Sequence, residues 1–381
     1  ISALQTRVDS PRGSGGNLIA AFGGSNTIGG VFAGDHPGFD QFVLGVELDA
    51  ELGKTTWSHN ANRSFSVEAG NAVGLSAITG FRTKHGNFVY GRFGLNSTEF
   101  TSHYQQHGSS SVLNDRKLGF NVGVGAEIPL GGGLSGRVEY LIRAYDDYLI
   151  GVPLGGWNDD NFANVQAVAR FGLLYRFNAQ NEIKAEPVDF SGLYAGGFLS
   201  HGTLQSNNTG PRPSGSAPAF TLDATRSGQG FSLGIQGGYG KQFGAFYLGG
   251  EVDVEASTAN WNIERSPVGR VYSLKKKNSI GASLRAGYVI NNSVLTYIRA
   301  GLVRSSFDSS YLESGIVTAG TVNLNGTRIG AGLEIAVSPK THLQLDYSHF
   351  DHGTHQVNYG TGVDQFDTSS DVFTVALNYR F

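Results

Sequence analysis

The sequence predicts an all-β fold: a transmembrane, antiparallel, up-and-down β-barrel. Three observations carry this. Stretches of alternating apolar and polar residues, about ten residues long, recur along the chain, the length a tilted strand needs to cross a bilayer. Uninterrupted apolar runs reach only a few residues, far from the ~20 of a membrane helix, and the helical period is nearly missing. The connections mostly alternate short and long, as expected when turns lie on one side of a membrane and loops on the other.

In the first half, strands are expected near Asn17–Ser25, Ile28–Gly34, Gln41–Glu51, Ala72–Thr83, Phe88–Ser97, Leu118–Leu130, Leu134–Asp146 and Ala163–Phe177. The first pair is short and glycine-rich and reads equally as one bent strand, which would leave seven. In the second half they are expected near Gly192–Leu204, Gly230–Tyr239, Ala245–Ala256, Ser279–Ile290, Val294–Ser306, Gly326–Val337, His342–Phe350 and Asp371–Phe381. The segments Leu52–Asn71, Thr98–Lys117, Asp147–Phe162, Gln205–Gln229, Ser257–Asn278, Phe307–Asn325 and Asp351–Ser370 read as long polar loops. Between them lie short turns such as Lys84–Asn87, Gly131–Gly133 and Asn291–Ser293.

Of 381 residues, 56 are Gly, and the formal net charge is -3. Such a balance lacks the basic face of a nucleic-acid binder. Cys is absent, which removes disulfides, thiolate metal sites and thiol nucleophiles. Met is absent even at position 1, so a secretory signal peptide is expected to have been removed ahead of Ile1.

An internal repeat organises the chain. Gly74–Leu95 aligns without a gap on Gly281–Leu302, sharing Ser76/Ser283, Gly80/Gly287, Tyr90/Tyr297, Arg92/Arg299 and Gly94/Gly301. The offset of 207 persists through Glu127-Ile128 and Glu334-Ile335, and through Glu139-Tyr140 and Asp346-Tyr347. The ending V-A-R-F-G-L-L-Y-R-F at Val168–Phe177 returns as D-V-F-T-V-A-L-N-Y-R-F at Asp371–Phe381. We read residues 1–177 and 190–381 as two barrel repeats of eight strands each, joined by a periplasmic linker over 178–189. The alternative is one barrel of sixteen strands.

The alternation also says which face is inside. Phe42, Leu44, Val46 and Leu48 share one face of their strand, and Glu47, Asp49 and Glu51 share the other. Phe246, Leu248, Val252 and Val254 oppose Glu251, Asp253 and Glu255 in the same way. Three carboxylates cannot face hydrocarbon, where each charge costs a few kcal/mol near the midplane. The same parity places Arg92, Glu127, Arg137, Glu139, Arg143, Arg170 and Arg176 inside, and Arg285, Arg299, Arg328, Glu334, Asp346 and Arg380 in the second half. Balanced acids and arginines predict a charge network. Inward glycines such as Gly125 and Gly332 make room for it.

Several motifs resemble small OmpA-type and opacity-type outer-membrane barrels of Gram-negative bacteria: Gly192-Leu193-Tyr194-Ala195-Gly196-Gly197, the Gly29–Asp49 stretch, Arg137-Val138-Glu139-Tyr140 and the terminal Tyr379-Arg380-Phe381. Those barrels are usually single, so tandem duplication is a departure. The resemblance implies an outer-membrane location. It also implies that Phe373, Val375, Leu377, Tyr379 and Phe381 form the signal read by the barrel-assembly machinery. The expected partners are outer-membrane lipid, lipopolysaccharide, that machinery during insertion, and an extracellular ligand or protein at the loops. No nucleic acid and no cofactor is expected. The expected role is structural and surface-interacting. A porin-like pore is the first alternative and a lipid-modifying enzyme the second.

Other residue clusters are weaker signals. His349, Asp351, His352 and His355 have suitable donor types for a metal, but solvated loop histidines are commoner, and no metal is expected. Ser348–His349 and Ser102–His103 are sequence neighbours, which a strand points to opposite faces, so no triad forms and no enzyme is expected. Lys275-Lys276-Lys277 with Arg265 and Arg270 makes a basic loop that lipopolysaccharide phosphates suit. Trp57, Trp157 and Trp261 fall in expected long loops, and Pro211, Pro213 and Pro218 extend another. Tyr140, Tyr175, Tyr347 and Tyr379 are expected to face outward in the interface girdles.

Overall fold

A computed structural model describes residues 1–381 except 12–16, 40, 61–62, 107, 153–157, 178–186, 213–219, 267–269, 314–315 and 359–362. The described residues form strand segments throughout and no helix. In the first half these are β1 (Ser2–Ser10), β2 (Asn17–Asn26), β3 (Gly29–Asp35), β4 (Gly38–Phe39), β5 (Phe42–Leu52), β6 (Thr55–Asn60), β7 (Arg63–Arg82), β8 (Phe88–Gln106), β9 (Ser109–Gly131), β10 (Leu134–Tyr145), β11 (Tyr148–Ile150) and β12 (Asp160–Tyr175). In the second they are β13 (Gly192–Arg212), β14 (Phe220–Phe243), β15 (Phe246–Ser257), β16 (Asn260–Ser266), β17 (Arg270–Ile290), β18 (Val294–Glu313), β19 (Ile316–Ala336), β20 (Thr341–Asn358) and β21 (Val363–Arg380).

Every pairing is antiparallel, and an apolar belt runs around the outside. β5 exposes Phe42, Leu44, Val46 and Leu48 and buries Val43, Glu47, Asp49 and Glu51. Exposed aliphatics this dense suit hydrocarbon and not water. The belt ends in tight turns on one side. Between β17 and β18 the turn holds Asn291 and Asn292 at φ of 48° and 53°, a left-handed conformation in which Asn is over-represented.

On the other side the structure corrects the expected long loops. Thr98–Lys117 is mostly ladder: β8 and β9 stay paired from Phe88↔Glu127 to Gln106↔Ser109. Phe307–Asn325 and Asp351–Ser370 likewise continue as β18–β19 and β20–β21 ribbons. Outside the belt both faces of a strand are polar or mixed, so the two-residue signal fades, while the backbone still pairs with its neighbour.

The pairing has two levels. Toward the turn end, β13, β14, β15, β17, β18, β19, β20 and β21 pair in succession, and β21 returns to β13 from Tyr194↔Arg380 to Thr209↔Gln365. At the same level β3, β5, β7, β8, β9, β10 and β12 pair in order, with the Phe32 ring beside Gly172. Toward the loop end the ladders cross between halves. β2 pairs with β1 and with β16, and β6 pairs with β14 at His59↔Ala224. Followed there, the hydrogen bonds run through a ring of sixteen strands.

β12 takes a partner at its free edge that the sequence does not suggest. It pairs with β1, an element that the expected strands, starting at Asn17, leave out. β2 and β3 run in one direction, β2 against β1 and β3 against β5, so the doubtful first pair is one interrupted strand and not a hairpin.

A shared apolar core fills the loop end. It joins Leu4, Phe22, Trp57, Phe65, Phe100, Tyr148 and Phe162 to Trp261, Leu274, Phe307 and Phe366. Trp57 and Trp261 are 4% and 3% exposed. They point into the interior from β6 and β16 and do not lie in the long loops expected to hold them, because their strands continue inward-facing parity beyond the belt. Trp157, Pro213 and Pro218 lie outside the described residues, as does linker segment 178–186.

Candidate functional site

The interior of each half, below the aromatic core, is built from charge. β5 delivers Glu47, Asp49 and Glu51 at alternate positions, and β8 delivers Arg92 across from them. Arg92 meets Glu47 at 2.5 Å, Glu139 at 3.3 Å, and also Asp49. The repeat builds the same cage: Arg299 meets Glu251 at 2.8 Å, Asp346 at 3.4 Å and Asp253 at 3.6 Å. Tyr90 donates to Glu139 at 3.1 Å and Tyr297 to Asp346 at 2.8 Å. Arg176 reaches Glu127, and Arg380 reaches Glu334 at 2.5 Å.

The halves differ in how a second arginine arrives. In the first, Arg137 on β10 bridges Glu127 at 2.6 Å and Glu47 at 2.7 Å. In the second, Arg285 on β17 bridges Glu334 and Glu251, each at 3.0 Å. These are repeat-related carboxylates neutralised from different strands. At the offset of 207, Arg285 stands where the first half has Ile78, and Gln344 stands where it has Arg137. Gln344 accepts instead from Gln236 at 2.9 Å and Asn378 at 2.8 Å. Arg143 pairs with Glu51 at 2.5 Å, and Arg170 spans Glu51, Glu139 and Asp49 at 2.7, 2.9 and 3.0 Å. Arg328 pairs with Asp253 at 2.5 Å.

Crowding explains the inward glycines. A Cβ on Gly125 would lie 2.5 Å from the Tyr90 ring, and one on Gly332 would lie 2.6 Å from the Tyr297 hydroxyl. The guanidiniums are permanently charged and the carboxylates are held by them. Such pairing fixes the charged side chains against one another.

The other sequence candidates are scattered. His349 faces outward and pairs through Nδ1 with Asp371 at 2.8 Å. His352 is buried and bonds Ser370 at 3.1 Å, while His355 stacks on Phe366 with centroids 5.1 Å apart. Asp351 is exposed. Strand alternation therefore splits the quartet, and no group of three potential metal ligands is found among the described residues. The basic run is also split. Lys276 turns inward to Glu255 at 2.5 Å, and Lys277 stays outside beside Asp308 at 3.2 Å. The Lys277 hydrogen bond, with a second from Thr321, holds the Asp308 carboxyl below its usual range. The Arg265 and Arg270 side chains lie outside the described residues.

Two girdle expectations need correction. Tyr175 and Tyr379 are exposed, but Tyr347 is partly buried and donates to Asp371 at 2.8 Å, and Tyr140, though outward on β10, is covered by the second half. Its ring stacks on Phe373 at 4.6 Å, and its hydroxyl bonds His201 Nδ1 at 2.8 Å. Phe373 is buried with it, whereas Leu377 and Phe381 remain exposed and Val375 is partly covered. Around this stack, Ala126, Ile128, Ala167 and Ala169 meet Val294, Leu333, Ile335 and Leu345 in one cluster. Near the turn end Asn87 donates to Ser293 at 3.0 Å. The sequence did carry a signal for this surface, since outward alanines let barrel walls approach.

A cleft of about 650 Å³ opens at the loop end between the halves, lined by Ser58, Glu68, His103, Gln205, Asn207 and Thr225 among others.

A model of the outer membrane protein beta-barrel domain matches residues 5–177 and again residues 184–381. The chain belongs to this family of outer-membrane barrels. Among curated proteins no sequence matches it. Neisserial surface protein A is similar at 19% identity over 48% of this chain and 97% of its own, with a TM-score of 0.27. Ail, the attachment invasion locus protein of Yersinia pestis, solved with the heparin analogue sucrose octasulfate, is similar at 16% identity over 50% of this chain and 100% of its own, with a TM-score of 0.27. The Pseudomonas putida toluene transporter TodX covers 100% of this chain with 88% of its own at 10% identity, with a TM-score of 0.25. As an outer-membrane barrel protein the chain resides in the bacterial outer membrane, its apolar belt in the hydrocarbon and its charged cages inside.

Proposed function

We propose that this outer-membrane barrel serves a structural and surface-interaction role, displaying its loop-end ribbons, and that it is neither a solute pore nor an enzyme. One observation carries the reading: the inward cations Arg92, Arg143 and Arg285 are 1%, 1% and 0% exposed. A water-filled lumen would leave such side chains open to solvent. Planar-bilayer recordings on the purified protein are expected to show no large steady conductance; a large steady conductance would overturn the reading. The ring of sixteen strands at the loop end favours the rival pore, and the same recording decides between them.

Residues 1–177 and 190–381 act as two barrel repeats with 178–189 as linker, and the β13–β21 ladder supports closure of the second. The loop-end cleft, rich in hydroxyl and amide groups, suits a polar extracellular ligand. Titration of candidate ligands against wild type and Asn207→Ala tests that site; binding unaffected by the substitution would remove it.

A further inference from the structure

On the outer wall of the second half, just past the apolar belt, stands a cation without an ion-pair partner among the described residues. Arg304 on β18 is exposed, one outward position beyond Leu302, which is 69% exposed. Across the ladder it faces Ile280 on β17 and Asn325 on β19. Ile280 and Ile329 are exposed beside Leu302, so the apolar wall runs directly below the guanidinium. Further out on β17 lie exposed Lys275 and half-exposed Lys277. Asp308 forms an ion pair with Lys277 at 3.2 Å and lies across the ladder from Lys275, so one carboxylate serves the two lysines and none pairs with Arg304 among the described residues. Asp351 lies beyond β19, across from Thr327.

The repeat provides an internal comparison. Register shifts fall at matching places, between Ala69 and Ala72 on β7 and between Lys276 and Ser279 on β17. At the offset of 207, Lys275 corresponds to Glu68, Lys277 to Gly70 and Arg304 to Ser97. In the first half these strands instead supply carboxylates to neighbouring cations: Glu68 on β7 meets Lys54, between β5 and β6, at 2.7 Å, and Glu99 on β8 meets Arg116 on β9 at 2.6 Å. The second half therefore reverses the charge at an equivalent height on an equivalent wall.

We propose that Arg304, with Lys275 and Lys277, binds the phosphorylated headgroup of an outer-leaflet glycolipid of the lipopolysaccharide type, its acyl chains lying against Leu302, Ile280 and Ile329. The inference rests on the outer-membrane placement above and deepens its surface role. Height decides the occupant. A group anchored by acyl chains places its phosphate where hydrocarbon ends, and a guanidinium at that boundary offers paired donors with the geometry of phosphate oxygens. A basic side chain near a charged membrane surface adds attraction that salt screens.

The test uses the full chain, refolded in neutral detergent, with retained lipopolysaccharide quantified by native mass spectrometry after equilibration. Wild type, Arg304→Ala, Lys275→Ala and Arg116→Ala are compared, with dephosphorylated lipopolysaccharide and inorganic phosphate as further probes. The expected result is a loss of roughly fivefold or more for Arg304→Ala, a smaller loss for Lys275→Ala and none for Arg116→Ala. Dephosphorylated lipid should bind wild type as weakly as intact lipid binds Arg304→Ala. Equal binding by wild type and Arg304→Ala, or by the two lipid forms, overturns the proposal. So does inorganic phosphate binding as tightly as the lipid. Gel mobility that differs between heated and unheated samples reports whether each variant is folded. Membrane fractionation of the native protein tests the outer-membrane placement separately.

Discussion

Arg92 shows the energetics at the scale of one residue. Its guanidinium is shared by Glu47, Asp49 and Glu139, none of which has water to turn to. Arg92→Ala takes one partner from three buried carboxylates and leaves Glu47 to Arg137, and Asp49 and Glu139 to Arg170. With a cavity left and one positive charge fewer in the cage, the expected cost is about 3 kcal/mol, read from the urea midpoint of the folded barrel in detergent. Arg116→Ala removes an exposed pair with Glu99 and is expected to shift that midpoint by no more than ~1 kcal/mol. Equal effects would mean that the cage does not hold the wall. Gly125→Ala probes the same interior from the steric side. The added methyl meets the Tyr90 ring, and the expected loss is about 1–3 kcal/mol; the same substitution made in a Tyr90→Ala background should cost much less, relative to Tyr90→Ala alone.

Histidine burial gives a pH dependence at the same scale. Burial, helped by Lys276 and His349, holds His352 well below its ordinary value of 6.5, and burial alone lowers His355. Both rings are neutral in the fold, while the unfolded chain takes up protons near 6.5. The unfolded state then binds more protons, so stability falls as pH drops through that range. The protection factors of Gln356 and Val357 on the β20 ribbon, which discount the intrinsic slowing of amide exchange in acid, are expected to fall between pH 7 and pH 5. A His352→Phe, His355→Phe double variant should show less of this change; an identical profile would rule it out. His349, paired to Asp371, is common to both proteins, so its titration cancels in the difference.

At the scale of elements, closure of the second half is the sharpest feature. β13 and β21 are 150 residues apart in the chain yet paired from Tyr194↔Arg380 to Thr209↔Gln365. The natural chain has no Cys, so an engineered pair reports cleanly. Leu199→Cys with Val375→Cys places partners across this ladder, where facing Cβ atoms stand about 4.5–5.5 Å apart. Oxidation is expected to cross-link them in nearly all molecules, while Leu199→Cys with Phe171→Cys, the pair a single uninterrupted sixteen-stranded wall brings together, should not react. The reverse outcome would show that β12 and β13 are neighbours.

At the scale of the whole molecule the halves are packed against each other and not merely tethered. The Tyr140–Phe373 stack, the Tyr140–His201 bond and facing alanines make a tight contact in a medium where apolar burial by itself drives little association. The crossing ladders at β2–β16 and β6–β14 add backbone bonds. A protease site inserted at residue 182 should therefore be cut without separating the halves during purification in detergent. Tyr140→Ala with Phe373→Ala should weaken their retention. Free separation of the unmodified halves would show the contact to be incidental.

The residues themselves determined the membrane barrel, the inward parity of Glu47, Asp49, Arg92, Glu251 and Arg299, and the duplication. Each depends on a period of two or on a long internal alignment, and both are local properties of the chain. Tertiary structure alone decided three other things. It extended the strands beyond the belt, where cross-strand hydrogen bonds persist after the apolar alternation has ended. It turned Trp57, Trp261 and Lys276 inward and parted the histidine quartet, because the ribbons keep strand geometry where the sequence reads as loop. And it covered Tyr140 and Phe373 with each other, since an outward residue looks the same in sequence whether lipid or a second barrel wall faces it.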